Sequence, residues 1–190
     1  MSETREGSVA RVFLSVGSNL GDRLECLRGA IGELRAIPEI EFLDASTLYR
    51  TEPWEQHPGQ QADEDGWFFN CVVSIETTLD PLTLLARIQE VETKLGRRRG
   101  AGTPEDHRYE ARPLDIDILL YGDLVISGPD HLQIPHLLMH ERRFVLQPLA
   151  EVAPDIEHPV LYRTIRELLE VLEDEHRVAE LDLPRRWFDR

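Results

Sequence analysis

The sequence predicts an α+β sandwich of the ferredoxin-like kind, β-α-β-β-α-β with additions at the C-terminus. Three observations lead there. Short segments of strand period alternate with two helical segments in that order. Hydrophobic residues make up 41% and charged residues 30% of the chain, ordinary values for a soluble globular protein. A chain of 190 residues can bury one sizeable core but has little room for a second large domain. A single domain over residues 1–190 is expected.

Residues Arg11 to Val16 read as a buried strand through Val12, Phe13, Leu14 and Val16. The run Gly17 to Asp22 supplies turn and N-cap chemistry. A helix follows, with Leu20, Leu24, Leu27, Ile31 and Leu34 on one face, and Pro38 stops it. Two strands come next, Glu41–Thr51 and Trp67–Thr77, separated by a polar loop. In the second, Phe69, Cys71, Val73 and Ile75 point one way, while Phe68, Asn70, Val72 and Ser74 point the other. Asp80-Pro81 starts a second helix with Leu85, Ile88, Val91, Glu92 and Leu95 on one face, and Gly96 caps its end. The strand Pro113–Tyr121 places Leu114, Ile116, Ile118 and Leu120 on its buried face. Residues His131–Pro148 read as mixed loop and strand. Thr164 and Glu167 form a capping box for a last helix, and a solvated amphipathic helix suffices for the acidic tail beyond Pro159.

Charge narrows the class of partner. Acids outnumber bases 36 to 21, which disfavours nucleic acid, a polyanion that needs a basic face. No apolar run approaches the roughly 20 residues of a membrane span, and residues 1–10 read as a short disordered leader without a signal region. Cys26 and Cys71 sit among apolar neighbours and read as buried free thiols, consistent with the cytoplasm. A monomer is expected. Residues 94–112 reverse the acidity, with Lys94, Arg97, Arg98, Arg99, Arg108 and Arg112 against three acids. A local cationic island in an acidic chain suggests a small anionic ligand, although a solvated charged loop has the same composition.

Asp115 and Asp117 are the sharpest chemical signal. At i and i+2 of a strand they share a face, with Cα atoms roughly 6.5 Å apart. Two such carboxylates repel unless a cation sits beside them, and oxygen ligands suit Mg2+, which completes its shell with water and phosphate. An isolated D-x-D also describes a solvated outer face. The neighbouring Arg112, Arg97 to Arg99, and the donor set His136 and Arg142 favour the phosphate reading, because guanidinium forks match phosphate oxygens. Asn70 can donate and accept along the edge of a fused aminopyrimidinone ring, and Phe68 and Phe144 can cover its faces. As single residues, the two aromatics fit core packing better than a ligand site.

Taken together these motifs resemble the 6-hydroxymethyl-7,8-dihydropterin pyrophosphokinase family of folate biosynthesis. The matching pieces are Gly17 to Gly21, Ser46 to Thr51, Phe69-Asn70, Gln89 through Glu92 to Arg97, and Arg112 to Gly122. Ile134 to His136 and Arg142 to Leu149 complete the set. The R-x-x-D-[aliphatic]-D strand is the most specific piece. The resemblance implies a ferredoxin-like fold and Mg2+-dependent transfer of the β,γ-pyrophosphoryl unit of ATP to the pterin alcohol, leaving AMP. It assigns two Mg2+ ions to Asp115 and Asp117, and the triphosphate to Arg97, Arg112, His136 and Arg142. Gln89 and Glu92 match positions near the nucleotide, and Thr51, Phe68, Asn70 and Phe144 match the pterin pocket. Within the loop from Arg97 to Arg112, Tyr109 matches an aromatic that the family places over the pterin. Either aspartate could accept the hydroxyl proton. Glu52 and Trp54 depart from the small or aliphatic residues common beside the pterin, and Leu137 replaces a frequent aromatic. Two other classes remain: a ligand-binding sensor of the same fold, and a metal-dependent phosphohydrolase using the same aspartates.

Overall fold

The computed structural model describes residues 8–54, 66–96, 113–128 and 132–189. Among them, β1 (Ala10–Ser18) leads to α1 (Arg23–Arg35), and β2 (Ile40–Ala45) and β3 (Tyr49–Thr51) follow. Next come β4 (Phe68–Thr77), α2 (Pro81–Lys94) and β5 (Asp115–Tyr121). The short strands β6 (Ile126–Ser127) and β7 (Gln133–Ile134) precede α3 (Arg143–Val152), α4 (Ile165–Glu170) and β8 (Val178–Glu180).

Local chemistry sets the helix starts. Asp22 accepts the backbone N–H of Glu25 at 3.1 Å and caps α1. Asp80 accepts from Leu82 and Thr83, each at 3.1 Å, with Pro81 at the first helical position of α2. Gly96 follows α2 at φ +97°, a conformation that a Cβ would strain. Thr164 and Glu167 form the expected capping box on α4. Leu20 is 42% exposed in the turn before Asp22 and does not belong to the helical face expected for it.

Among the described residues six strands form one antiparallel sheet ordered β5-β1-β4-β3-β8, and β2 pairs with the other end of β4. α1 connects β1 to β2 past β4, and α2 connects β4 to β5 past β1. The expected strand Glu41–Thr51 is two strands, because β2 pairs with Val73–Thr77 and β3 with Phe68–Asn70. At the break, the Ser46 hydroxyl accepts the Val72 N–H at 3.0 Å and holds the chain in the ladder.

α1 and α2 cover one face of the sheet. Val12, Leu14 and Val16 of β1, Cys71, Val73 and Ile75 of β4, and Ile116 and Ile118 of β5 pack there against Leu27, Ile31, Leu34 and Ile88. Cys26 is half-buried and Cys71 fully buried, and both are free thiols. The opposite face carries a second cluster built from Phe13, Val72, Leu119 and Leu120 under α3 and α4. Leu120 therefore faces away from Leu114, Ile116 and Ile118. An irregularity in the β1–β5 register between Phe13 and Leu14 reverses the alternation that the strand pattern implied.

Two C-terminal expectations are corrected. The segment His131–Pro148, expected as mixed loop and strand, ends in helix: α3 runs Arg143–Val152 despite an internal Pro148. Burial of Val145, Leu146 and Leu149 outweighs the lost backbone bond. The acidic tail is not a solvated helix throughout. After α4 it pairs as β8 against β3, and Trp187 and Phe188 then bury themselves in the α1/α2 core. The Trp187 indole N–H donates to the Ser46 carbonyl at 2.9 Å.

Candidate active site

A polar patch occupies the α3 face of the sheet beyond the second core. Register defines it. Asp115, Gly17, Asn70 and Tyr49 lie side by side across four strands, and Asp117, Ser15 and Val72 form the next row. Asp115 and Asp117 therefore share one face, half-buried at the start of β5. Gly17 lies between Asp115 and Asn70. A Cβ there would sit 2.4 Å from the Asn70 Oδ1, so only glycine lets the amide lie across the strand. Asn70 is buried, and its Nδ2 donates to Thr51 Oγ1 at 2.7 Å. Phe68 pairs with Thr51 at the end of the same face. Two strand spacings put the amide and the aspartates about 10 Å apart.

Among the described strands β5 lies at the edge, and its outward backbone groups are covered from both sides. Glu92 is 1% exposed and accepts the Ile116 N–H at 2.9 Å, which fixes the strand between the two aspartates. Glu92 thus reaches the strand's backbone from α2, on the opposite side of the sheet from the carboxylate pair. Gln89 lies one turn earlier on α2, half-buried. On the other flank, His136 donates its backbone N–H to the Leu119 carbonyl at 3.0 Å. Burial and the neighbouring Arg142 push the His136 imidazole down to about 4, against a smaller opposing pull from Asp115. The ring is therefore neutral near pH 7. Its Nδ1 accepts the Leu138 N–H at 3.3 Å, which leaves the proton on Nε2. His136 is a hydrogen-bond donor here rather than a cation.

α3 brings the last two predicted residues. Arg142 is its N-cap, and Phe144 lies in its first turn, packed on the second core. The Arg142 guanidinium lies 5.7 Å from the ring centroids of both Trp54 and Phe144. Glu151, near the other end of α3, accepts from the Thr47 hydroxyl at 2.7 Å and from the Tyr49 hydroxyl at 3.2 Å. Helix and strand β3 are locked together by that carboxylate.

The structure thus gathers Thr51, Phe68, Asn70, Asp115, Asp117, His136, Arg142 and Phe144 on one side of the sheet. Gln89 and Glu92 lie on α2, and Arg97, Arg112 and Tyr109 lie outside the described residues. Sequence reasoning missed Glu151, and it read Gly17 as a turn residue although it lies within β1. A glycine continuing an otherwise apolar strand was the available signal for its place beside Asn70. Glu151 carries none until α3 is known to be a helix over this face.

The donor set suits a hard divalent cation. Two half-buried carboxylates on one strand face offer the oxygen ligands that such a cation prefers. Among the described residues no group of three or more His, Cys, Asp or Glu forms a closed metal cage. Also among the described residues, no helix is long and apolar enough to cross a membrane.

Comparison with known proteins bears on this geometry. The family model for 7,8-dihydro-6-hydroxymethylpterin-pyrophosphokinase matches residues 13–154. A 2-amino-4-hydroxy-6-hydroxymethyldihydropteridine pyrophosphokinase of Methylorubrum extorquens is 39% identical over 165 residues, covering 87% of this chain and 95% of that one. A protein of the same name from Aquifex aeolicus is 36% identical over 159 residues, covering 84% and 90%. The HPPK-DHPS protein of Plasmodium falciparum superposes with a TM-score of 0.66 at 18% identity, over 88% of this chain and 44% of that longer one. That likeness speaks for the fold, a mixed α/β architecture with an antiparallel sheet. The chain belongs to the 7,8-dihydro-6-hydroxymethylpterin-pyrophosphokinase family.

Proposed function

We propose that the chain is a ferredoxin-like, Mg2+-dependent enzyme that transfers the β,γ-pyrophosphoryl unit of ATP to 6-hydroxymethyl-7,8-dihydropterin. The observation that carries the reading is the row Asp115–Gly17–Asn70, which sets a carboxylate pair and a buried amide about 10 Å apart on one face. The order β5-β1-β4-β2/β3, with each helix crossing one strand, supports the fold assignment. The family's pyrophosphokinase name supports the reaction type. Cytoplasmic location and a monomeric state belong to the same proposal.

Each end of the site has its own task. Asn70 and Thr51 present amide and hydroxyl groups to the polar edge of a pterin, while Phe68 and Phe144 cover its ring faces. His136 offers its Nε2 proton to a phosphate oxygen without adding charge. Arg142 adds a fixed positive charge, and Arg97 and Arg112 complete the phosphate cradle on the sequence evidence. Gln89 borders the nucleotide from α2, while Glu92, buried against the strand's backbone, holds β5 in register. Asp115 and Asp117 would hold Mg2+, two ions in the fullest form of the reading; when bound, the metal supplies charge neutralisation along the triphosphate.

The chemistry is an in-line displacement. The pterin hydroxymethyl oxygen forms a bond to the β-phosphorus as the bond from that phosphorus to the α,β-bridging oxygen breaks. AMP leaves and the hydroxyl proton is released. The residues contribute alignment and charge complementarity rather than a covalent intermediate. Incubation with ATP and Mg2+ tests this directly. AMP should form only when the pterin alcohol is present. Phosphate release without acceptor would indicate hydrolysis, and no turnover with acceptor would remove the enzyme reading.

A further inference from the structure

The segment from Leu172 to Val178 lies beyond residues 13–154, the span matched by the family model, yet it touches both walls of the site. Asp174 and His176 form its centre. Their side chains are only 2% and 10% exposed, and His176 Nδ1 lies 2.5 Å from Asp174 Oδ1. The other carboxylate oxygen accepts the Arg143 N–H at 2.7 Å, at the first turn of α3. Arg143 returns the contact, donating to the Asp174 carbonyl at 2.9 Å and the Leu172 carbonyl at 3.2 Å. Three bonds therefore fix the start of the helix that carries Arg142 and Phe144.

The His176 ring packs against Trp54, with centroids 5.0 Å apart and planes inclined by 35°. Trp54 in turn meets Phe144 edge-on at 6.3 Å and lies beside the Arg142 guanidinium. One residue further, Arg177 donates its N–H and its Nε to the two oxygens of buried Glu52, each at 2.8 Å. Val178 then pairs with Thr51. A strand added to a sheet edge would need only the last of these contacts. The buried acid–imidazole pair behind an indole, aimed at an arginine of the site, goes beyond edge protection.

We propose that Asp174 and His176 are positioning residues that act through Trp54 and the α3 N-terminus to hold Arg142 ready for a phosphate. This rests on the functional reading above. A free arginine side chain loses much rotamer freedom when it grips an anion, and stacking beside two rings removes part of that loss before the ligand arrives. His176 packs on Trp54, Trp54 lines Arg142, and Asp174 fixes the imidazole and the helix end together.

Titration calorimetry of the full chain with α,β-methylene-ATP and Mg2+ tests the inference. Trp54→Leu and His176→Ala should each weaken binding about fivefold, the size of one exposed cation–π contact. Because His176 acts through Trp54, the double variant should bind no more weakly than Trp54→Leu alone. His176→Phe keeps a ring against the indole and should bind within about twofold of the unaltered chain. Unchanged affinity in His176→Ala, multiplicative losses in the double variant, or failure of the phenylalanine to rescue would each overturn the inference while leaving the functional reading intact. No binding by the unaltered chain would overturn both.

Discussion

The two faces of the central sheet use the same three strands for opposite purposes. Toward α1 and α2, β1 presents Val12, Leu14 and Val16, β4 presents Cys71, Val73 and Ile75, and β5 presents Ile116 and Ile118. All are buried. On the other side, toward the start of β5, the alternate positions are Ser15 and Gly17, Asn70, and Asp115 and Asp117. Only the far half of that face is covered by apolar residues under α3 and α4. One face holds the fold together, and half of the other gives up apolar burial to present groups that can bind charge. Alternation along a strand allows both in the same seven to ten residues. Polar groups held in a partly desolvated patch cost stability and are expected where function requires them.

Exchanging single residues between these roles should separate stability from activity. The largest effect falls on turnover. Asp115→Asn or Asp117→Asn should lower the rate of AMP formation by at least about 100-fold, as loss of a group that complements transition-state charge does. Melting temperature should change far less than the rate, since neither carboxylate belongs to the apolar clusters that hold the fold. A variant that melts early and retains its rate would contradict the division of the two faces. The mirror experiment is Ile31→Ala, on α1 beneath the apolar face. It should cost about 2–5 kcal/mol of unfolding free energy, read by urea titration, with kcat near normal at low temperature.

The two faces were unequally legible in the sequence. Val12 to Val16, Cys71 to Ile75 and the α1 and α2 periodicities announced the apolar face, because burial on one side of a strand leaves a period of two. The aspartates were legible for a different reason: charge at i and i+2 in an apolar strand has no packing explanation. The α3/α4 side was obscure. Pro148 argued against a helix where Val145, Leu146 and Leu149 supply enough burial to form one, and the β1–β5 irregularity moved Leu120 across the sheet. β8 offered only Val178-Ala179-Glu180, too short to show a period. Its pairing is dictated by β3, more than a hundred residues away. Contacts of that separation leave no local trace.

A smaller effect tests the boundary between the faces. Gly17→Ala places a methyl group 2.4 Å from the Asn70 Oδ1. The amide must swing away, which should raise KM for the pterin alcohol more than KM for ATP. The strain should cost about 1–3 kcal/mol of stability. Equal KM changes for both substrates would mean that Asn70 does not recognise the pterin edge.

The smallest effect concerns Tyr49, where the row that begins at Asp115 meets α3. Burial, and then the adjacent Glu151 carboxylate, push its phenol up from 10.0 to about 12. Unfolded chains ionise this group near its ordinary value, whereas the folded chain keeps the proton until about 12. The unfolded state therefore binds fewer protons over that window, and the stability contributed by neutral Tyr49 is intact below pH 10 and lost as the pH rises toward 12. Cys71 and Tyr121 are shifted upward too, so the unaltered chain alone cannot report on Tyr49. Tyr49→Phe can. At pH 8 the variant should be less stable, having lost the bond to Glu151, and the gap should narrow steadily between pH 10 and 12 in urea titrations. A gap of constant size would mean that the phenol ionises at the same pH in both states, and that α3 does not seal this end of the site.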